Sequence, residues 1–331
     1  MRFPSWDQLK GAYWYSFRDE AIYKSPLFFP RTSDPTVISP SDSPDGKGHM
    51  FAHTWLGIVH YETTSGLNWE RKELVFLRAH SPFIYKEGAR YYMVYETHDP
   101  DWVRKSKDVT KKGSRVMLST SEDLRKWTPG KVILEAKDIA SSSYRNSPSR
   151  ISRPQLVPWR GGYRLYFGAG EFRIYDTDQK TTACFMMAES DYIEGPYKVH
   201  QDPIIQIEPD SQYRNLAPGG IRVIALSDKL AAIECSYFFD KEENRSRSAM
   251  LLLESSDGIE WNLDSVMQLS PLEGWSNRAI TGCDLSLVED EDTWYCFYSA
   301  NEKDKLWKIF PRVRESVGLL LGKIERRLPT V

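Results

Sequence analysis

The chain has 331 residues, longer than most single domains and too short for three. Its 40% hydrophobic and 27% charged residues describe an ordinary soluble globular protein. A net charge of −2 argues against a general polyanion binder, because nucleic-acid affinity comes mainly from neutralising phosphates.

The chain opens on "MRFPSWDQLK", which has no apolar leader, and no later run approaches the ~18 apolar residues of a membrane span. The expected setting is therefore cytoplasmic, with no membrane insertion and no nucleic-acid partner. "EAIYKSPLFFP" (20–30) has the composition of an outer strand. Then "RTSDPTV" (31–37) places Asp-Pro just ahead of a β-branched run, and the cadence returns in "AHSPFIY" (79–85), "ISRPQLV" (151–157) and "NLAPGGIRV" (215–223). Proline fixes φ and lacks an N–H, which suits the first position of a strand. It is also expected to hold the preceding residue extended, aiming that side chain inward. The basic stretch "VRKSKDVTKKGSR" (103–115) reads as a solvated loop.

A second pattern decides the fold. "YETTSGLNWERKELVF" (61–76), "LSTSEDLRKWTPGKVIL" (118–134), "AESDYIEGPYKVHQDPII" (188–205) and "LESSDGIEWNLDSVMQL" (253–269) each turn into an aromatic. That aromatic is Trp69, Trp127, Tyr197 or Trp261, at intervals of roughly 60 residues. Hairpin-like strand pairs precede these turns, as in "SPFIYKEGARYYMVYE" (81–96) and "RPQLVPWRGGYRLYFG" (153–168). Four antiparallel strands per repeat describe a propeller blade. Inner strands starting near Val37, Phe83, Gln155, Ile221 and Leu285 make five.

The expectation is an all-β, five-bladed β-propeller spanning 1–331 as a single domain. Its blades fall near 31–77, 78–136, 150–206, 215–270 and 280–331. The fifth repeat runs out after "ESVGLLLGKIERR" (315–327), so strand 20–30 is expected to complete it and close the ring. The four cysteines, Cys184, Cys235, Cys283 and Cys296, form no CxxC pair and lie mostly in apolar runs, as buried free thiols do.

The "SDPTV" opening, the S-x-D turns that end on tryptophan and the "GPY" turn resemble the five-bladed β-propeller glycoside hydrolases of families 43, 32, 62 and 68. That resemblance implies a carboxylate at the start of the first inner strand, at the axis, acting as base or nucleophile. Asp34 matches that place. The chain also departs from the pattern. Arg153, in "SRPQ", stands where family 43 would place an Asp, and "LAPGG" (216–220) lacks the Glu expected before Gly-Pro. Glu194 in "EGP" lies in an outer turn and reads as structural.

Glycoside hydrolysis needs a second carboxyl group, protonated to assist the leaving oxygen. Glu171 in "FGAGEFR", Glu234 in "LAAIECSYF" and Asp284 at the fifth rim position are the candidates, with Glu96 and Glu302 behind them. Binding positions expected around the funnel are His53, His80, Ser81, Arg150, Arg153, Arg173, Arg214 and Asn215. Some family 43 members hold an axial calcium, which His53 and His80 would face. Neutral hydrogen-bonding histidines are the preferred reading, so no cofactor is expected. Trp14, Trp55, Trp102 and Trp159 lie outside the repeat and could stack on a sugar.

The arginines, together with Arg145, suit an anionic saccharide unless they pair internally with Asp34, Glu171 or Asp284. The expected activity is cleavage or transfer of a glycosidic bond in a short oligosaccharide. The alternative is a catalytically silent glycan-binding propeller.

Overall fold

The structure, a computed structural model, describes residues 4–26, 31–98, 113–139, 150–177, 179–271, 274–288, 292–302 and 314–324. It opens with one short helix, α1 (Trp6–Lys10), held by a capping box between Ser5 and Gln8, and a strand, β1 (Ala12–Ser16). Five four-stranded antiparallel sheets follow. Blade I contains β2 (Ser33–Ile38), β3 (Gly48–His53), β4 (Gly57–Thr63) and β5 (Glu70–Leu77). Blade II contains β6 (Ala79–Glu87), β7 (Arg90–His98), β8 (Ser114–Ser121) and β9 (Lys131–Glu135).

Blade III contains β10 (Ile151–Trp159) and β11 (Gly162–Ala169). A small hairpin, β12 (Phe172–Ile174) and β13 (Gln179–Thr181), intervenes before β14 (Cys184–Ser190) and β15 (Lys198–Val199). Blade IV contains β16 (Ala217–Ala225), β17 (Leu230–Asp240), β18 (Arg245–Ser255) and β19 (Asn262–Leu269). Blade V has β20 (Ala279–Val288), β21 (Thr293–Glu302) and β22 (Arg314–Ile324), and takes β1 as its fourth strand. The fold is the all-β, five-bladed propeller that the repeat predicts.

The closing strand is not where the sequence reading put it. β1 pairs with β22 from Ala12↔Ile324 to Ser16↔Leu320. Of 20–30, the described part forms no strand: it makes an isolated bridge, Tyr23↔Val317, and Ser25 bonds beside it to Glu315 and Ser316. Pro26 removes a backbone donor just beyond that bridge, whereas "AYWYS" offers every N–H to its partner. Trp14 also lies flat over Gly322, where an added Cβ would meet the indole at 2.9 Å.

Hydrogen-bonded turns build the aromatic repeat. Ser121 Oγ accepts the Leu124 N–H at 2.9 Å, and Asp123 Oδ1 accepts from Arg125 and Lys126. Ser255 and Asp257 repeat the arrangement. Each turn then seats its aromatic in the seam with the preceding blade. Trp69 meets Phe297, Trp127 meets Phe51, and Trp261 meets Tyr166. The apolar core thus lies in seams between blades, which leaves polar side chains for the axis.

All five inner strands carry a bulge near their start. The register slips between Ser33 and Thr36, His80 and Phe83, Ser152 and Gln155, Pro218 and Gly220, and Ile280 and Gly282. In blades I to III the bulge holds the residue before proline at φ 47° (Asp34), 47° (Ser81) and 49° (Arg153). These residues are left-handed, not extended as the sequence reading expected. Pairing with the second strand of each blade overrides the local preference of the residue before proline.

Candidate active site

Three of the five bulges bring Asp34, Ser81 and Arg153 together at the axis. The Ser81 hydroxyl donates to Asp34 Oδ2 at 2.6 Å, and Arg153 Nε donates to Oδ1 at 3.3 Å. His53 Nδ1 lies 3.3 Å from Oδ2, and the Asp34 N–H donates to Ser299 Oγ. On the opposite side a Cβ at Gly282 would stand 2.3 Å from Asp34 Oδ1, so only glycine fits there. Burial pushes the Asp34 carboxyl up, but the Arg153 charge above all, with the Ser81 hydroxyl, outweighs it and holds it well below the usual carboxylate range.

Burial and the Arg31 charge lower His53, whose neutral ring accepts the Ser81 backbone N–H at Nδ1. Its proton then sits on Nε2, a buried atom with no hydrogen-bond partner among the described residues. Beside Asp34 lies a cavity of about 30 Å³, lined among others by Ser81, Phe83, Arg153, Gly220, Arg222 and Cys283. That is room for a water molecule. Arg222, one of the cavity's lining residues, reaches Asp284 Oδ1 at 3.2 Å and lies 4.4 Å over the Phe83 ring. Asp284 Oδ2 accepts the Val37 N–H at 2.5 Å, and burial pushes its carboxyl up despite Arg222.

A polar row leads away from Asp34 along blades I to III. His53 and His80 stand 5.3 Å apart, and His80 and His98 5.1 Å apart. Burial, with His53 beside it, lowers His80 to about 3, and burial also lowers His98. Glu96 lies 3.4 Å from His98 and takes both Nε and Nη2 of Arg150, at 2.9 and 3.2 Å. Burial raises Glu96, but Arg150 and His98 prevail and bring it to about 2. Arg150 Nη1 then donates to Glu171, which also accepts from Lys180 at 2.9 Å.

Of the expected site residues, Asp34, Ser81, Arg153, His53, His80, Arg150 and Glu171 fall in this one network. Asp284 also reaches the axis, as the partner of Arg222. The others lie elsewhere. Glu234 has no exposed surface and is tied to Arg214 at 2.6 Å, and it does not line the axial cavity. Arg214 is spent on Glu234 and Glu208. Asn215 accepts the Phe239 N–H in a separate outer cleft, because the bulge sets the fourth axial position at Gly219–Gly220. Arg173 is exposed on β12, its guanidinium 6.0 Å from the Tyr175 ring.

Glu302 pairs with Arg314. Trp14 is committed to ring closure, Trp159 carries Arg160 and Arg164 over its ring, and Trp55 is half exposed just past His53. Arg145 and Trp102 lie outside the described residues. Arg222, His98 and Glu315 belong to the site but escape the sequence reading. Glu315 accepts hydrogen bonds from Ser33 and Thr281, each at 2.6 Å. An arginine inside the apolar "GGIRV" run is the one signal that pointed to any of them.

No family model matches the sequence, and no curated protein matches it. Solved structures match over nearly the whole chain. One is a family 117 glycoside hydrolase produced by the marine bacterium Zobellia galactanivorans, at TM-score 0.59 and 12% identity. The match covers 96% of this chain and 92% of that one. Another is a thermostable family-43 glycoside hydrolase, also at 0.59, with 13% identity over 96% and 98% of the two chains. The third is an N-acetylgalactosamine deacetylase from F. plautii in complex with blood group B trisaccharide, at 0.62 and 15%, covering 92% and 94%. The chain shares their propeller fold. Among the described residues no helix is long and apolar enough to cross a membrane.

Proposed function

We propose that this propeller hydrolyses a glycosidic bond of a short carbohydrate bound at the mouth of the axial funnel, with Asp34 as the base. One observation carries the reading: an ionised carboxylate is fixed in orientation at the axis beside room for one water. Hydrolysis with a base requires that carboxylate to take a proton from water as the water attacks the sugar carbon. A water-sized space suits a base better than a nucleophile, which must itself touch the sugar.

Glu171 is the acid candidate. It is the most exposed carboxyl of the network, at 15% against 9% for Asp34 and 0% for Glu96. Trp55, half exposed two residues beyond His53, is the aromatic candidate to stack on a sugar. The solved neighbours described as glycoside hydrolases, and the one holding a trisaccharide, support a carbohydrate ligand. Arg150, Arg153 and Arg214 each have an internal carboxylate, which favours a neutral saccharide over an anionic one.

A non-catalytic binder is the second reading. It is favoured by the salt bridges that occupy both Glu96 and Glu171. A panel of neutral and anionic aryl glycosides, assayed with wild type and Asp34→Asn, separates the two. Turnover of a neutral glycoside is expected, with a loss of about 10²–10⁴-fold in kcat for the folded variant. Turnover that survives Asp34→Asn removes the base from the mechanism. Saturable binding with no turnover of any substrate establishes the binder.

A further inference from the structure

At the other end of β2, blade I carries a second polar cluster that the axial site does not use. Four side chains form a line of three short contacts. Asp45 Oδ1 lies 2.8 Å from His49 Nε2, His49 Nδ1 lies 2.8 Å from His60 Nε2, and His60 Nδ1 lies 2.8 Å from Glu73 Oε1. Both rings are fully buried, and Phe51 lies parallel on His60 with centroids 4.6 Å apart. The two outer partners are carboxylates, so each imidazole spends its ring proton outward, on Asp45 and on Glu73. The inner nitrogens then face each other as two lone pairs. Such a pair needs a cation to share.

We propose that His49 Nδ1, His60 Nε2 and the Glu62 carboxylate form a binding site for a divalent transition metal of the zinc type. The three donor atoms lie within 4.8 Å of one another, and all three residues are buried. Strand geometry puts them there. His49 pairs directly with Glu62 across β3 and β4, and His60 lies two residues before Glu62, so all three share one face of the blade.

Two histidines and one carboxylate are a zinc ligand set that leaves a position open. Asp45 and Glu73 are the carboxylates that fix the tautomer and raise the basicity of such histidines. Lys47 and Arg125 now stand on Glu62 at 3.2 and 2.6 Å. Both are well exposed, at 38% and 47%, so they can turn to solvent as the ion takes their place. The cation that competes with the metal is a single proton shared by the two rings.

Untagged full-length protein, treated with chelator and dialysed, is titrated with Zn²⁺ by calorimetry and with Co²⁺ by visible absorption. One equivalent of each is expected, with cobalt bands of a low-coordinate nitrogen and oxygen site. His49→Gln and His60→Gln should abolish uptake. Glu73→Gln alters a half-exposed carboxylate that spares the fold, and should weaken binding about 10–100-fold. No uptake by wild type, or uptake unchanged in Glu73→Gln and in whichever histidine variant folds, overturns the site. Imidazole ¹⁵N signals of a proton-bridged pair that persist under excess Zn²⁺ overturn it as well.

Discussion

Asp34 is charged where charge is expensive, and Arg153 is what keeps it so. An unpaired buried carboxylate would take up a proton, whereas a paired one stays ionised if its oxygens are satisfied. Arg153 meets one oxygen, and Ser81 meets the other. The folded carboxyl therefore titrates below its unfolded value of roughly 3.9. Its stabilising contribution is fully present above that unfolded value and is lost as pH falls through the folded one. Arg153→Met keeps most of the volume and removes the charge, leaving burial to push Asp34 up. The variant should lose about 3–5 kcal/mol at pH 7. The gap to wild type should narrow on acidification, because protonating Asp34 removes the uncompensated charge. Urea denaturation at pH 7 and pH 4 measures both. A gap of equal size at the two values would mean that Arg153 acts by packing alone.

The bulge is the element-scale device behind the site, because it turns one residue per inner strand out of the ladder toward the axis. Three of these residues are non-glycine in the left-handed region, at a cost of about 1–2 kcal/mol each. Such outliers persist where the surrounding structure over-determines them, as at binding sites. The X-Pro cadence marked the positions of blades I to III in the sequence, since proline is itself a sign of a broken ladder. It could not reveal the left-handed turn, which depends on pairing with a strand that comes later in the chain. Blade IV has no large side chain at its bulge to mark it, so the cadence points to Asn215 while the bulge itself lies several residues later, at Gly219. There the bulge rests on Gly219, where a Cβ would stand 1.9 Å from the Cys235 carbonyl oxygen. Gly219→Ala should destabilise by about 2–3 kcal/mol through this overpacking. Gly113→Ala, with nothing within 4 Å among the described residues, should stay within about 0.5 kcal/mol of wild type. Equal midpoints for the two variants in urea would show that the bulge does not need its glycine.

At the scale of the molecule, the ring is held by aromatic seams and closed by one short strand. The seams were legible because tryptophan after an S-x-D turn recurs in the sequence. Closure was legible as a need, since the fifth repeat lacks a strand, but β1 and not 20–30 fills it. Residues 20–30 look more strand-like, whereas 12–16 win because α1 and Trp14 anchor them. Trp6 and Leu9 are buried in the seam of blades IV and V, and Trp14 packs against the same cluster. Each such side chain contributes about 1.5–3 kcal/mol. Together they are comparable with the roughly 5–15 kcal/mol net stability of a typical protein. Deleting residues 1–18 should therefore leave at most a marginal fold. It should also uncover the C-terminal half of the β22 edge, "LLLGKI" (319–324), whose unpaired groups would template association between copies. The expected readouts are loss of the cooperative melt by circular dichroism and elution as large species on size exclusion. Trp14→Ala, which keeps the strand and removes its anchor, should fall between the deletion and the full chain. A deletion variant that melts with the full chain and elutes as it does would mean that the first eighteen residues are not what closes the ring.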